Sequence, residues 1–281
     1  MVASPAVPFA RNCLSLVLSL IACGCLPSEP APKGEKSNDT DSSFRPTDLS
    51  FKRPATKPKA EPETSAHSFG PTLPASPKSP PADTLLTQPY SEHFEASTLG
   101  SDWQATTAVW RVESGRLCGQ KAHNHPLWLR RRIPKNARIS FIAQSDSPDG
   151  DLKVEVWGDG KSNATAVSYT DATSYLFILG GWRNQFNVLA RLDEHGADRL
   201  ERRLNPSAAD ARDRPVVPGA RYRFEIERTD GKTVRWLVNG AEMAKLSDTA
   251  PLAGAGHDHL GFNNWEVHAC FDDLMIVPLP D

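Results

Sequence analysis

The chain has 281 residues, with 32 Lys and Arg against 34 Asp and Glu, a net charge of -2 and 24 prolines. A balance this close to neutral, with bases interleaved among acids, argues against nucleic acid as a partner, because neutralising phosphates needs a basic face. The densest basic run, Leu129-Arg130-Arg131-Arg132, would send Arg131 to the opposite side of a strand from its neighbours, so it makes no continuous patch.

Residues 1–22 read as a signal peptide. Arg11 precedes the apolar run Leu14-Ser15-Leu16-Val17-Leu18-Ser19-Leu20-Ile21, which is too short to span a bilayer and has the length of a signal-peptide core. The run ends in Leu20-Ile21-Ala22-Cys23, which resembles the lipobox of bacterial lipoproteins. That resemblance implies export and acylation of Cys23, and several acyl chains on one cysteine make a stable membrane anchor. An ordinary secretory signal is the other reading. Gly24 rather than Asp follows the lipid site, which by resemblance to sorting in two-membrane bacteria implies the outer membrane.

Residues 23–88 show neither apolar period, and proline recurs every few residues, as in Pro77-Lys78-Ser79-Pro80-Pro81. Such a segment cannot bury enough surface to offset the entropy of ordering it, so a disordered tether is expected. As a coil of about 65 residues it would reach some 45 Å, and further if stiffened by polyproline II. Its function would be reach.

Residues 89–281 carry most of the aromatic residues and are long enough, at roughly 190 residues, to bury about 70% of their unfolded surface. Short strands separated by turn formers fill this part. Trp110-Arg111-Val112-Glu113 and Arg116-Leu117-Cys118 flank Ser114-Gly115 as a hairpin, and Ile139, Phe141 and Ala143 alternate with Arg138, Ser140 and Ile142. Tyr175 to Leu179 is apolar on both sides and reads as a central strand. Gly180 to Asn184 breaks it, after which Phe186, Val188, Ala190 and Leu192 should face a core, with Gln185, Asn187 and Arg191 opposite. Pro206 to Arg212 is the best helical candidate and is short. Arg221 to Arg228 alternates without a fault, and Asp230-Gly231 and Asn239-Gly240 supply primed hairpin turns after it. About a dozen strands of this kind predict an all-β, antiparallel β-sandwich.

Three motifs occur in order: Phe94-Glu95-Ala96-Ser97-Thr98-Leu99-Gly100-Ser101-Asp102-Trp103, then Trp110 to Leu117, then Gly261-Phe262 with Phe271-Asp272-Asp273-Leu274-Met275-Ile276-Val277. Together they resemble the concanavalin A-like lectin/glucanase jelly rolls, especially the laminin-G-like and keto-disaccharide hydrolase-like branch on exported bacterial proteins. The resemblance implies two curved sheets, adjacent first and last strands, and a concave face on which relatives bind or cleave carbohydrate. It also places Cys118 and Cys270 on early and late strands that are often neighbours, so these two form a disulfide or stay as buried thiols.

The strand Asp151-Leu152-Lys153-Val154-Glu155-Val156-Trp157 is the organising one. A period of two sends Leu152, Val154 and Val156 to the core and Asp151, Lys153, Glu155 and Trp157 to a polar face. Glucanases of the superfamily carry Glu-x-Asp-x-Glu on such a strand, and here Lys153 stands where the middle acid would be. Asp151 and Glu155 sit about 13 Å apart along the backbone, beyond the roughly 5 to 9.5 Å of glycosidase pairs. Glu155 could act as a catalytic group only with an acid from another strand.

A groove for sugar needs aromatic faces and planar polar groups. Its expected members are Lys153, Glu155, Trp157, Trp182, Asn184, Asn187, Arg191, Asn263, Asn264 and Trp265. Candidate metal ligands are Asp146, Asp149 and Asp151, which could hold calcium though not in an EF-hand pattern, and the pairs His123 with His125 and His257 with His259. No other cofactor motif is present, and no serine-hydrolase elbow or nucleotide loop occurs. The expected function is a lipid-anchored envelope protein whose sandwich binds carbohydrate without cleaving it. A glycan-cleaving enzyme using Glu155, and an adhesion protein that binds another envelope protein, are the alternatives.

Overall fold

A computed structural model describes residues 83–281. The signal peptide, Cys23 and residues 24–82 of the tether lie outside the described residues. Fifteen strands succeed one another: β1 (Tyr90–Glu92), β2 (Trp103–Ala105), β3 (Arg111–Glu113), β4 (Arg116–Gln120), β5 (Leu127–Leu129), β6 (Ala137–Ser145), β7 (Leu152–Gly158), β8 (Tyr175–Gly180), β9 (Phe186–Arg191), β10 (Leu200–Arg203), β11 (Arg221–Arg228), β12 (Thr233–Val238), β13 (Ala241–Ser247), β14 (His259–Asn263) and β15 (His268–Pro278). They form two antiparallel sheets. One runs β13-β12-β11-β6-β15-β4-β3, with β1 added beside β15, and the other runs β10-β9-β8-β7-β14-β5-β2. The fold is the expected jelly-roll sandwich, with the first and last strands paired through Tyr90 opposite Ile276.

Alternation explains most of the core. Ile139, Phe141 and Ala143 from β6 meet Leu152, Val154 and Val156 from β7 between the sheets. Phe141 stacks on Phe224 at 4.9 Å and Phe262 on Phe271 at 4.4 Å. Each such ring contributes about 1.5–3 kcal/mol by leaving water. Two hairpins have the turns their sequences ask for, with Ser114 at φ 50°, Gly115 at 72°, Asn239 at 50° and Gly240 at 79°. Cys118 lies directly opposite Cys270 on β4 and β15, and the two are joined as a disulfide across a sequence separation of 152.

Four expectations are corrected. The tether does not run to residue 88, because Leu85 bridges Arg132 and the Leu86 amide donates to the Arg132 carbonyl at 2.8 Å. Leu86 packs on the core, and that burial orders the segment. Asp230-Gly231 is part of a four-residue loop between β11 and β12, since the Asp230 carboxylate itself accepts from the Lys232 and Thr233 amides and replaces a backbone turn. The helical turn expected over Pro206–Arg212 is a single 3-10 turn at Ala211–Asp213, capped by Asp210.

The fourth correction is Trp157. Val156 pairs with Leu260 and Gly158 with His259, so Trp157 is an extra residue in a β-bulge, at φ 57°. A bulge restarts the alternation and turns the side chain over. Trp157 therefore joins the inter-sheet core at 0% exposure, edge-on to Tyr175, with Nε1 donating to the Pro134 carbonyl at 3.0 Å.

Candidate functional site

The outer face of the seven-stranded sheet was expected to be the open groove. Register puts Asn263, Lys153, Ile178 and Val188 in one row across it, and Gly261, Glu155, Leu176 and Ala190 in the next. Half of this face is thus apolar and has to be covered. Residues 159–174 do so: Ala164, Tyr169 and Ala172 pack on Leu176, Ile178, Val188 and Ala190 as a second core. Val188 and Ala190 face a core as expected, but it is this smaller one.

The covering segment seals Glu155. Its carboxylate accepts from the Tyr169 hydroxyl at 3.1 Å to each oxygen, from Ser174 Oγ at 2.7 Å and from Asn263 Nδ2 at 2.8 Å. Glu155 is 0% exposed. Burial pushes its carboxyl up to about 7, with these donors and Lys153 pulling it back. The same burial and the neighbouring Glu155 hold the Tyr169 hydroxyl far above its ordinary range.

What remains open is a cleft of about 790 Å³ where several loops meet. Asn124, Asp151, Lys153 and Glu194 make its floor, and Trp182, Phe186, His195 and Trp265 stand among its walls. Lys153 is 1% exposed, and its Nζ donates to Asn124 Oδ1 at 2.7 Å and to Glu194 Oε2 at 2.8 Å. Burial lowers its pKa, but Glu194 and Asp151 outweigh that and the net direction is upward, so the ammonium stays charged. For Asp151 burial raises the pKa, opposed by Lys153, while its Oδ2 accepts from the Trp265 amide at 2.5 Å.

Trp182 reaches the wall from the turn Gly181–Asn184, in which Trp182, Arg183 and Asn184 have φ of 51°, 57° and 61°. Left-handed backbone at non-glycine residues costs on the order of 1 kcal/mol each. Asn184 holds it in place: Nδ2 donates to the Pro148 and Val216 carbonyls and Oδ1 accepts from the Val216 amide. The Arg199 guanidinium lies 4.7 Å over the Trp182 ring, and His195 meets the ring edge at 5.7 Å. On the opposite loop the Trp265 ring lies 4.8 Å from that of His123.

Of the ten expected groove residues, Lys153, Trp182 and Trp265 line the cleft. Glu155 and Asn263 lie beneath the covering segment, and Trp157 is in the core. Asn184, Asn187 and Asn264 spend their amides on the backbone, Asn187 on the Gly180 amide and the Arg212 carbonyl, Asn264 on the Ala122 amide and the Gly119 carbonyl. Arg191 pairs with Asp248 at 2.7 Å and donates to the Ala250 carbonyl. These groups hold loops in place, because a buried amide needs its partners.

The candidate metal ligands do not converge. Asp146 faces Gln144 and His268, Asp149 sits on the cleft and Asp151 in its floor. His257 contacts the Thr173 carbonyl and His259 the Asp258 carboxylate, while His123 faces Glu266 and His125 the Ala122 carbonyl. Among the described residues, the one group of three close enough to share an ion is Cys118, His268 and Cys270, whose sulfurs are joined to each other.

Asn124, Glu194 and His195 were not singled out in the sequence. Glu194-His195 stands in the polar turn Asp193-Glu194-His195-Gly196, and Asn124 between two histidines; neither position has a spacing that marks a site.

No known protein family matches the chain, and no curated protein matches it. Solved structures do. The carbohydrate binding module CBM66 from Bacillus subtilis aligns at 11% identity with a TM-score of 0.48, over 63% of this chain and 95% of that one. The alginate lyase Aly36B aligns at 11% identity and a TM-score of 0.43, over 69% and 99%. A prokaryotic β-1,3-1,4-glucanase (lichenase) derived from a mouse hindgut metagenome aligns at 11% identity and 0.43, over 68% and 99%.

Proposed function

We propose that the sandwich is a carbohydrate-binding domain that holds its ligand without cleaving it, in an exported protein tied to the outer membrane by a lipid on Cys23. The observation that carries the binding role is the cleft itself. It sets two half-buried indoles, Trp182 and Trp265, around a floor of buried polar groups. Indole faces stack on the C–H surface of a sugar ring, and carboxylate and amide oxygens bond its hydroxyls. A concave site of this size with a few fixed polar groups is what a small ligand needs. The tether would carry the domain away from the lipid surface.

Binding is favoured over cleavage by the position of Glu155. It accepts from three donors, the Tyr169 hydroxyl shared between both oxygens, Ser174 and Asn263, and does not line the cleft. Binding to another envelope protein would call for a contiguous apolar patch. Of the exposed large apolar residues among those described, Leu200 and Met275 lie on strands of different sheets and Val167 lines the cleft, so these three do not make one patch.

Affinity electrophoresis of residues 24–281 through a panel of polysaccharides, with and without calcium, tests the reading. Retardation by one polymer that disappears in Trp182→Ala, with no reducing ends released, supports it. Release of reducing ends would make the protein an enzyme, and free migration through every polymer would leave the carbohydrate reading without support.

A further inference from the structure

The cleft floor holds two carboxylates that are each only half used. Asp151 Oδ2 accepts from the Trp265 amide and Glu194 Oε2 from Lys153 Nζ. Among the described residues no donor reaches Asp151 Oδ1 or Glu194 Oε1, although both residues are only 7% exposed. Neither oxygen is among the buried side-chain atoms that lack a partner, so both still touch solvent, and both residues line the cleft. A nine-tenths buried carboxylate with a free oxygen turned to a cavity asks its occupant for a hydrogen-bond donor.

The positive charge at the floor and over Trp182 is already engaged, and the remaining cation of the cleft, Arg183, is exposed to solvent. Lys153 is 1% exposed, and two of its three N–H groups are taken by Asn124 and Glu194. Arg199 covers one face of Trp182 while donating to the Glu194 carbonyl and the Glu201 carboxylate. Around the whole cleft the carboxylates of Asp149, Asp151, Glu194 and Glu266 outnumber the side chains of Lys153, Arg183 and His195 by four to three, and of these three only Lys153 and Arg183 carry a permanent charge. An anionic ligand would bring its charge against unpaired carboxylate oxygens in a partly desolvated space, where like charges repel strongly.

We infer that the cleft selects a glycan unit that is uncharged or carries an amino group, and rejects uronic, sialic and sulfated sugars. This rests on the carbohydrate reading above and narrows it. Hydroxyl and ammonium groups are the donors that Asp151 Oδ1 and Glu194 Oε1 lack, and the indole walls accept the apolar face of the same ring.

The test is calorimetric titration of residues 24–281 with short oligomers of N-acetylglucosamine, of glucosamine below its amine pKa, and of a uronic acid. Glucosamine oligomers should bind at least about tenfold more tightly than uronate oligomers, which is about 1.4 kcal/mol. The gap should shrink as salt rises from about 20 mM to about 0.5 M. In Asp151→Asn, which keeps an acceptor for the Trp265 amide, the preference for glucosamine over the N-acetylated oligomer should fall severalfold. Uronate binding as tight as the others would overturn the charge selection and leave carbohydrate binding standing. Absence of binding to all three oligomers would overturn this selection, and with free migration through every polysaccharide of the panel it would overturn the carbohydrate reading too.

Discussion

The Arg228 guanidinium lies 3.8 Å from the centroid of the Trp157 ring, and the pair links a strand of one sheet to a strand of the other. Arg228 also donates to the Lys135 carbonyl at 2.5 Å and the Leu252 carbonyl at 2.8 Å. Burial lowers its pKa to about 10, still well above neutrality, so a charged group is held against an aromatic face inside the protein. Trp157 is thereby a core residue in energy as well as in position.

Trp157→Ala should cost about 3–5 kcal/mol of stability in urea unfolding and leave glycan affinity of the folded protein unchanged. Trp182→Ala should do the reverse, with little loss of stability and loss of binding. Weakened binding in a fully folded Trp157 variant would return that residue to the site.

Glu155 makes stability depend on pH in a stated direction. Its carboxyl rises from 4.5 to about 7 on folding, so between those values the folded state holds a proton that the unfolded state has lost. The stabilisation is fully present below 4.5 and is lost as pH rises through 7, by on the order of 3 kcal/mol. Glu155→Gln should remove this slope, so that the variant gains on the parent between pH 5 and 8. Melting temperatures across that range check it, and parallel curves for the two proteins would contradict the assignment.

The Lys153 ammonium is the counter-charge of the cleft floor. Lys153→Met should destabilise the fold by about 3–5 kcal/mol, because it leaves Asp151 and Glu194 buried without their cation. Adding Glu194→Gln should recover part of the loss. A double-mutant cycle reads the coupling directly, and strict additivity would show that the Lys153–Glu194 bond at 2.8 Å contributes nothing.

The disulfide ties strands that are 152 residues apart in sequence. Cys118→Ser with Cys270→Ser should cost about 2–5 kcal/mol. Alkylation of the unfolded, unreduced chain should label neither position, and mass spectrometry of the fragments would reveal it if it did.

The all-β class, the sandwich and the hairpins at Ser114-Gly115 and Asn239-Gly240 were legible in the sequence. Each rests on a local property: a side-chain period of two, or a backbone that Gly and Asn adopt easily. The core side of β7, with Leu152, Val154 and Val156, came from the same period and holds in the structure. Tyr175 to Leu179, apolar on both sides, already implied that something covers the outer face.

Tertiary structure alone decided the rest. Trp157 changes face because β14 pairs with β7 in a register that leaves one residue over, and a register belongs to two strands. Glu155 is sealed because residues 159–174 return over their own sheet to cover Leu176 and Ile178. The cleft floor joins Lys153 to Asn124, 29 positions away, and to Glu194, 41 positions away. No local period carries such a meeting, since long-range contacts form only where the packed sheets bring the loops together. The chain's own pattern therefore determined which faces are apolar, and the folded sandwich determined which polar groups remain free to meet a ligand.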